Sequence, residues 1–142
     1  MSDATTVVVD LLARGHAVQF QARGDSMHPL IRDHDYLHVE PVDRIRVGDI
    51  VLVLAERGLT AHRVVASRDG MIVTRGDNAP AADDAVPRSK VLGKVTAVIR
   101  EGREVKVRGL RAWMIGRIGR IRRIGRIGRL GRMFSLSVPF VL

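Results

Sequence analysis

The chain of 142 residues carries 24 Lys and Arg against 15 Asp and Glu, a net charge of +9, with 46% apolar residues and no cysteine. That length fits one domain with a real core, and the lack of cysteine excludes disulfides and thiolate metal sites. The charge is unevenly placed: residues 1–104 sum to −1, while residues 105–142 hold no acid and sum to +10, so a near-neutral body precedes a basic tail.

Val7 to Gly15 is a short apolar segment that suits a helix or a strand equally. It has neither the basic start nor the long apolar run of a signal peptide, and no stretch of the chain reaches the ~20 apolar residues of a membrane-spanning helix. The expected location is cytoplasmic, with peripheral membrane contact as the alternative. Ala17 to Ala22 alternates apolar and polar residues, as a half-buried strand does. The turn-rich segment Arg23-Gly24-Asp25-Ser26-Met27-His28-Pro29 follows, and then a strand over Tyr36 to Val39. Ile50 to Ala55 is continuously apolar, which suits a strand buried on both faces. Thr60 to Ala66 and Met71 to Thr74 read as strands joined by the Arg68-Asp69-Gly70 turn. Asp77 to Pro87 reads as a polar loop, and Val91 to Arg100 as a strand pair or one long bent strand. Short strands between frequent turn signals predict an all-β domain over 1–104.

From Ile115 the tail repeats as IGR IGR IRR IGR IGR LGR. A three-residue step on an α-helix drifts by about 60° per triplet, so the isoleucines circle the axis and form no lasting apolar stripe. The five glycines of these triplets weaken a helix further. The tail over 105–142 is therefore expected to be helical or disordered. Its natural partner is an anionic membrane, with Arg117, Arg120, Arg123 and Arg126 at headgroups and Trp113, Ile118 and Phe134 in the boundary. It lacks a recognisable module for reading nucleic acid.

A serine hydroxyl becomes a nucleophile only beside a base, which a third group usually orients. Ser26 follows Gly24-Asp25 at a turn that can expose its side chain. His16, His28, His34 and His38 lie among polar, turn or alternating residues and read as ordinary surface or half-buried side chains. His62 instead sits inside a strand pattern, Thr60 to Val65, on the rigid footing a general base needs. Asp77, Asp83 and Asp84, in the loop after the next strand, can each supply the carboxylate that orients it.

Taken in order, Gly24-Asp25-Ser26-Met27-His28-Pro29, Asp35, Gly48-Asp49-Ile50-Val51, His62-Arg63-Val64-Val65, Gly76-Asp77-Asn78, Asp83-Asp84 and Leu92-Gly93-Lys94-Val95 resemble the type I signal peptidase and LexA-like self-cleaving repressor superfamily. The resemblance spans about residues 17–100. It implies a coiled, barrel-like β-sheet domain and acyl transfer to serine, with no metal or cofactor. Many members use lysine as base; the endoplasmic-reticulum and archaeal branch has a His-Arg pair, as His62-Arg63 here. The only lysines, Lys90, Lys94 and Lys106, lie beyond the strand that supplies the base. The resemblance thus makes Ser26 the nucleophile, His62 the base and Asp84 the best match for the acid, with Asp83 next and Asp77 supporting.

Three departures stand out. Gly24 occupies the place of a serine that helps hold the oxyanion in many signal peptidases, which leaves backbone N–H groups such as that of Ser26. His34 stands where a glycine is usual. The membrane anchor of signal peptidases is not expected here, so the substrate is read as a peptide or preprotein with small side chains at the cleaved bond. The alternatives are a regulator that cleaves itself or one partner, and a non-catalytic peptide-binding relative.

Overall fold

The computed structural model describes residues 3–56 and 58–105; the expectations for the tail, its conformation and its membrane contacts, lie outside the described residues.

Val7 to Gly15 belongs to a helix, α1 (Asp3–Ala13). Val8 and Leu12, four residues apart, fall on one face and are buried against the sheet, with Leu11 partly buried beside them. The valines and threonines are indifferent helix formers, so burial of this stripe decides the outcome. The helix closes with the His16 N–H donating to the Leu11 carbonyl (2.9 Å) and the Gly15 N–H to that of Leu12 (3.1 Å), the bonding of a left-handed C-terminal cap.

Eight strands make one wholly antiparallel sheet that curls into a half-barrel. They are β1 (Val18–Gln21), β2 (Tyr36–Pro41), β3 (Ile50–Ala55), β4 (Gly58–Arg68), β5 (Met71–Arg75), β6 (Val86–Pro87), β7 (Val91–Arg100) and β8 (Arg103–Val105). Their order is β1-β2-β7-β3-β4-β5-β6, with β8 also paired to β7. The all-β expectation holds, with one helix added. The 91–100 segment is one strand, bent where Thr96 bulges opposite His38 and Val39. Part of the expected 77–87 loop, Val86–Pro87, pairs with β5 instead.

β3 is apolar throughout because both its faces are covered. Ile50 and Leu52 join Val8, Leu12, Phe20, Met27, Leu37 and Val98 in the larger core. Val51 and Val53 join Val64, Ile72 and Val91 in a smaller one. No helix among the described residues is long and apolar enough to cross a membrane.

Candidate active site

The segment that bears Ser26 is a hairpin between β1 and β2. The Ala22 N–H donates to the Asp35 carbonyl (2.7 Å) and the His34 N–H to that of Ala22 (2.8 Å), which closes its neck. The Gly24 N–H donates to Asp33 Oδ1 (2.9 Å), and Gly24 takes a φ of 92°, a region closed to most side chains. The chain then turns Ser26 inward, where it is buried with Met27. His34 has a φ of 70°, in the left-handed region that favours glycine. The glycine that the resemblance puts at this place would meet that geometry freely, and His34 holds it with its ring between Arg23 and Asp33.

The neck of the hairpin is also gripped from β7. Arg100 donates from Nε to Asp35 Oδ1 (2.9 Å) and from Nη2 to Asp35 Oδ2 (2.7 Å), and also to the Leu30 carbonyl (3.0 Å). The hydrogen bond to Asp35 raises the Arg100 guanidinium above its ordinary value against the opposing effect of burial, helped by the charges of Asp35 and Glu101. This planar two-point clamp ties the hairpin to the middle of the sheet.

His62 comes from β4, opposite Val51 of β3, and is 3% exposed. Its Nε2 lies 3.1 Å from Ser26 Oγ. Its Nδ1 donates to Asp83 Oδ2 at 2.6 Å. Since a carboxylate oxygen accepts, the proton of neutral His62 sits on Nδ1, and the Nε2 lone pair faces the serine hydroxyl. Ser26, His62 and Asp83 therefore form one continuous hydrogen-bonded line.

Asp83, rather than the preferred Asp84, is the carboxylate that lies against His62. The Asp83 N–H donates to the Thr74 carbonyl (2.8 Å), which folds Asp83 back against β5 and turns its carboxylate to His62. Asp84, the next residue along, is exposed. Asp77 takes neither place. Its carboxylate accepts two parallel bonds from the next residue of β4, Arg63 Nε to Oδ1 and Nη2 to Oδ2, both at 2.8 Å. Arg63 is 1% exposed, and its Nη1 also donates to the Gly48 carbonyl (2.8 Å).

This ion pair fixes the Gly76-Asp77-Asn78 turn, and the turn holds Ser26. The Asn78 N–H donates to the Ser26 carbonyl (2.9 Å), its side chain to the Asp25 carbonyl (3.3 Å), and the Asp77 N–H to Met27 Sδ (3.4 Å). The approach leaves no room at Gly76: a Cβ there would sit 2.6 Å from the Ser26 carbonyl oxygen and 3.2 Å from His62 Nε2. Glycine at 76 is thus a condition for the Ser26–His62 contact.

Sequence reasoning passed over Thr74, whose hydroxyl donates to Asp83 Oδ2 at 2.7 Å. The available signal was parity, since Ile72, Thr74 and Gly76 alternate on the buried side. A threonine there must find a polar partner. His16, His28 and His34 are exposed and His38 half-buried, within the expectation of surface or half-buried side chains. No group of three or more His, Cys, Asp or Glu among the described residues could hold a metal ion.

No curated protein matches the chain. A family model described as Peptidase S24-like matches residues 2–96, a span that contains Ser26, His62, Asp77, Asp83 and Asp84. This is the fold of serine peptidases and self-cleaving regulators, within the signal-peptidase and LexA-like superfamily, and the chain belongs to the Peptidase S24-like family.

Proposed function

We propose that the chain is a serine endopeptidase of the signal-peptidase type, of the branch that uses histidine as base. The observation that carries this reading is the line Ser26 Oγ, His62 Nε2, His62 Nδ1, Asp83 Oδ2, with gaps of 3.1 and 2.6 Å. His62 Nε2 takes the Ser26 proton as Oγ attacks the carbonyl carbon of a peptide bond. Asp83 holds the ring in the required tautomer and stabilises the imidazolium that forms. The Ser26 backbone N–H serves the developing oxyanion. The imidazolium then gives its proton to the leaving amine, and a water, activated by the same nitrogen, releases the acyl-enzyme. The substrate is a segment of peptide or preprotein with small side chains at the cleaved bond.

A fluorophosphonate probe tests the nucleophile without knowledge of the substrate. It is expected to label the wild-type chain on Ser26 and to leave Ser26→Ala unlabelled, as read by intact-mass spectrometry. A wild-type chain that stays unlabelled at concentrations that saturate a known serine peptidase would remove this reading.

We further propose that the 105–142 tail brings the peptidase to an anionic membrane surface. The described body carries mixed charge, so attraction falls to the tail, with about 1 kcal/mol per arginine near the surface, screened by salt. Full-length protein is expected to sediment with vesicles of anionic phospholipid and to leave them in high salt, while a chain ended at Arg108 stays in the supernatant. Equal sedimentation of both would discard the tail as an anchor.

A further inference from the structure

The acid of the proposed line is the least secured of its three members. Ser26 is buried in a hairpin clamped at its neck by Arg100 and held at Ser26 itself by Asn78, and His62 stands in a strand between two neighbours. Asp83 belongs to the 77–85 loop, and its side chain is 23% exposed. The torsion that turns a carboxylate about its axis is soft, and water competes for both oxygens. What opposes this freedom is Thr74.

Thr74 lies on β5, is buried, and pairs with Val64 across the ladder, two residues along β4 from His62. Paired residues of adjacent strands share a face, as do residues two apart on one strand, so Thr74 and His62 face the same way. Their two protons converge on one atom: Thr74 Oγ1 and His62 Nδ1 lie 2.7 and 2.6 Å from Asp83 Oδ2. Thr74 also receives the Asp83 N–H on its own carbonyl (2.8 Å). One strand residue thus grips the main chain and the side chain of the same aspartate. A β-branched side chain suits the task, because its χ1 is stiff and keeps the hydroxyl aimed.

We infer that Thr74 is a positioning residue of the site: its hydroxyl locks the Asp83 carboxylate so that Oδ2 always meets His62 Nδ1–H. The inference rests on the peptidase reading for its consequence in turnover, but the geometry it asserts can be read without any substrate. Loss of an outer hydrogen-bond partner of this kind lowers activity about tenfold to a hundredfold in metal sites, where the same logic of a partner behind a histidine applies.

Thr74→Val, of nearly the same shape, is expected to lower kcat about tenfold with KM unchanged, and Thr74→Ser to restore it. In an Asp83→Ala background the same Thr74→Val change is expected to add less than about a twofold loss, since residues that act as a unit are not additive. The proton on His62 Nδ1, followed by NMR in the free protein, is expected to move or exchange faster in Thr74→Val and to keep its position in Thr74→Ser. Should the valine variant fail to fold, as judged by its thermal transition, Thr74→Ala carries the same measurements. An unchanged Nδ1 proton, or a tenfold loss that persists when Asp83 is already alanine, overturns the inference. A responsive Nδ1 proton in a wild-type chain that rejects the fluorophosphonate would sink the peptidase reading and leave the positioning role standing.

Discussion

His62→Ala is expected to lower kcat by roughly ten-thousand-fold or more while the fold stays intact, because it removes the only side chain within hydrogen-bond reach of Ser26 Oγ among the described residues. Circular dichroism and the thermal transition report the fold, and turnover of a peptide substrate reports the rate. His62→Lys is not expected to recover the loss. A lysine at this place would lie against the Asp83 carboxylate, which favours the protonated ammonium, whereas a lysine base must be neutral. Asp83→Asn is expected to cost about a thousandfold or more, since an amide lets the ring settle in the wrong tautomer. Asp84→Asn, at an exposed neighbour, is expected to leave kcat within about twofold. A normal rate in His62→Ala would dismiss the base, and equal effects of the two asparagines would dismiss the assignment of the acid.

Asp77→Ala is expected to destabilise the domain by about 3–5 kcal/mol, the cost of leaving a buried charge without its partner. Arg63 would keep one bond, to the Gly48 carbonyl, and lose both to Asp77. A small domain holds only about 5–15 kcal/mol in total, so the melting temperature falls by more than about 10 °C. In urea the midpoint drops at constant m. Arg63→Met combined with Asp77→Ala is expected to recover part of the loss, because no charge is then stranded. A single Asp77→Ala protein within about 1 kcal/mol of wild type would show that water or other groups already serve Arg63. The same substitution loosens the turn that holds Ser26, so activity is expected to fall before the protein unfolds.

Periodicity located most of the sheet. Alternation at Val18 to Gln21 and the unbroken apolar run at Ile50 to Ala55 report burial on one face and on two, and burial is what those strands do. It failed at Val7 to Gly15, where β-branched residues argue for a strand and the Val8–Leu12 spacing for a helix. Only the packing partner decides. The pairing of Ser26 with His62 was legible because each stands in a distinctive local pattern. The carboxylate beside His62 was not legible. Asp83 and Asp84 are chemically identical neighbours, and their difference lies in one main-chain bond from Asp83 to Thr74, which joins segments nine positions apart. Arg63–Asp77 and Arg100–Asp35 were hidden for the same reason, being pairings between distant parts of the chain.

The strand order carries a consequence for the order of synthesis. Among the described residues β2 pairs only with β1 and β7, and β3 only with β4 and β7, so there the half that bears Ser26 and the half that bears His62 and Asp83 share no ladder until β7 bridges them. Arg100, which pins the serine hairpin, stands at the end of that same strand. A chain emerging from the ribosome amino-terminus first exposes its serine early, but its hydroxyl is then an ordinary alcohol. The two halves are brought into register only after residues 91–100 have emerged and paired. On the proposed peptidase reading, the Ser26–His62–Asp83 line is therefore complete only once residues 91–100 have emerged, and a nascent chain shorter than that carries its serine in an inert form.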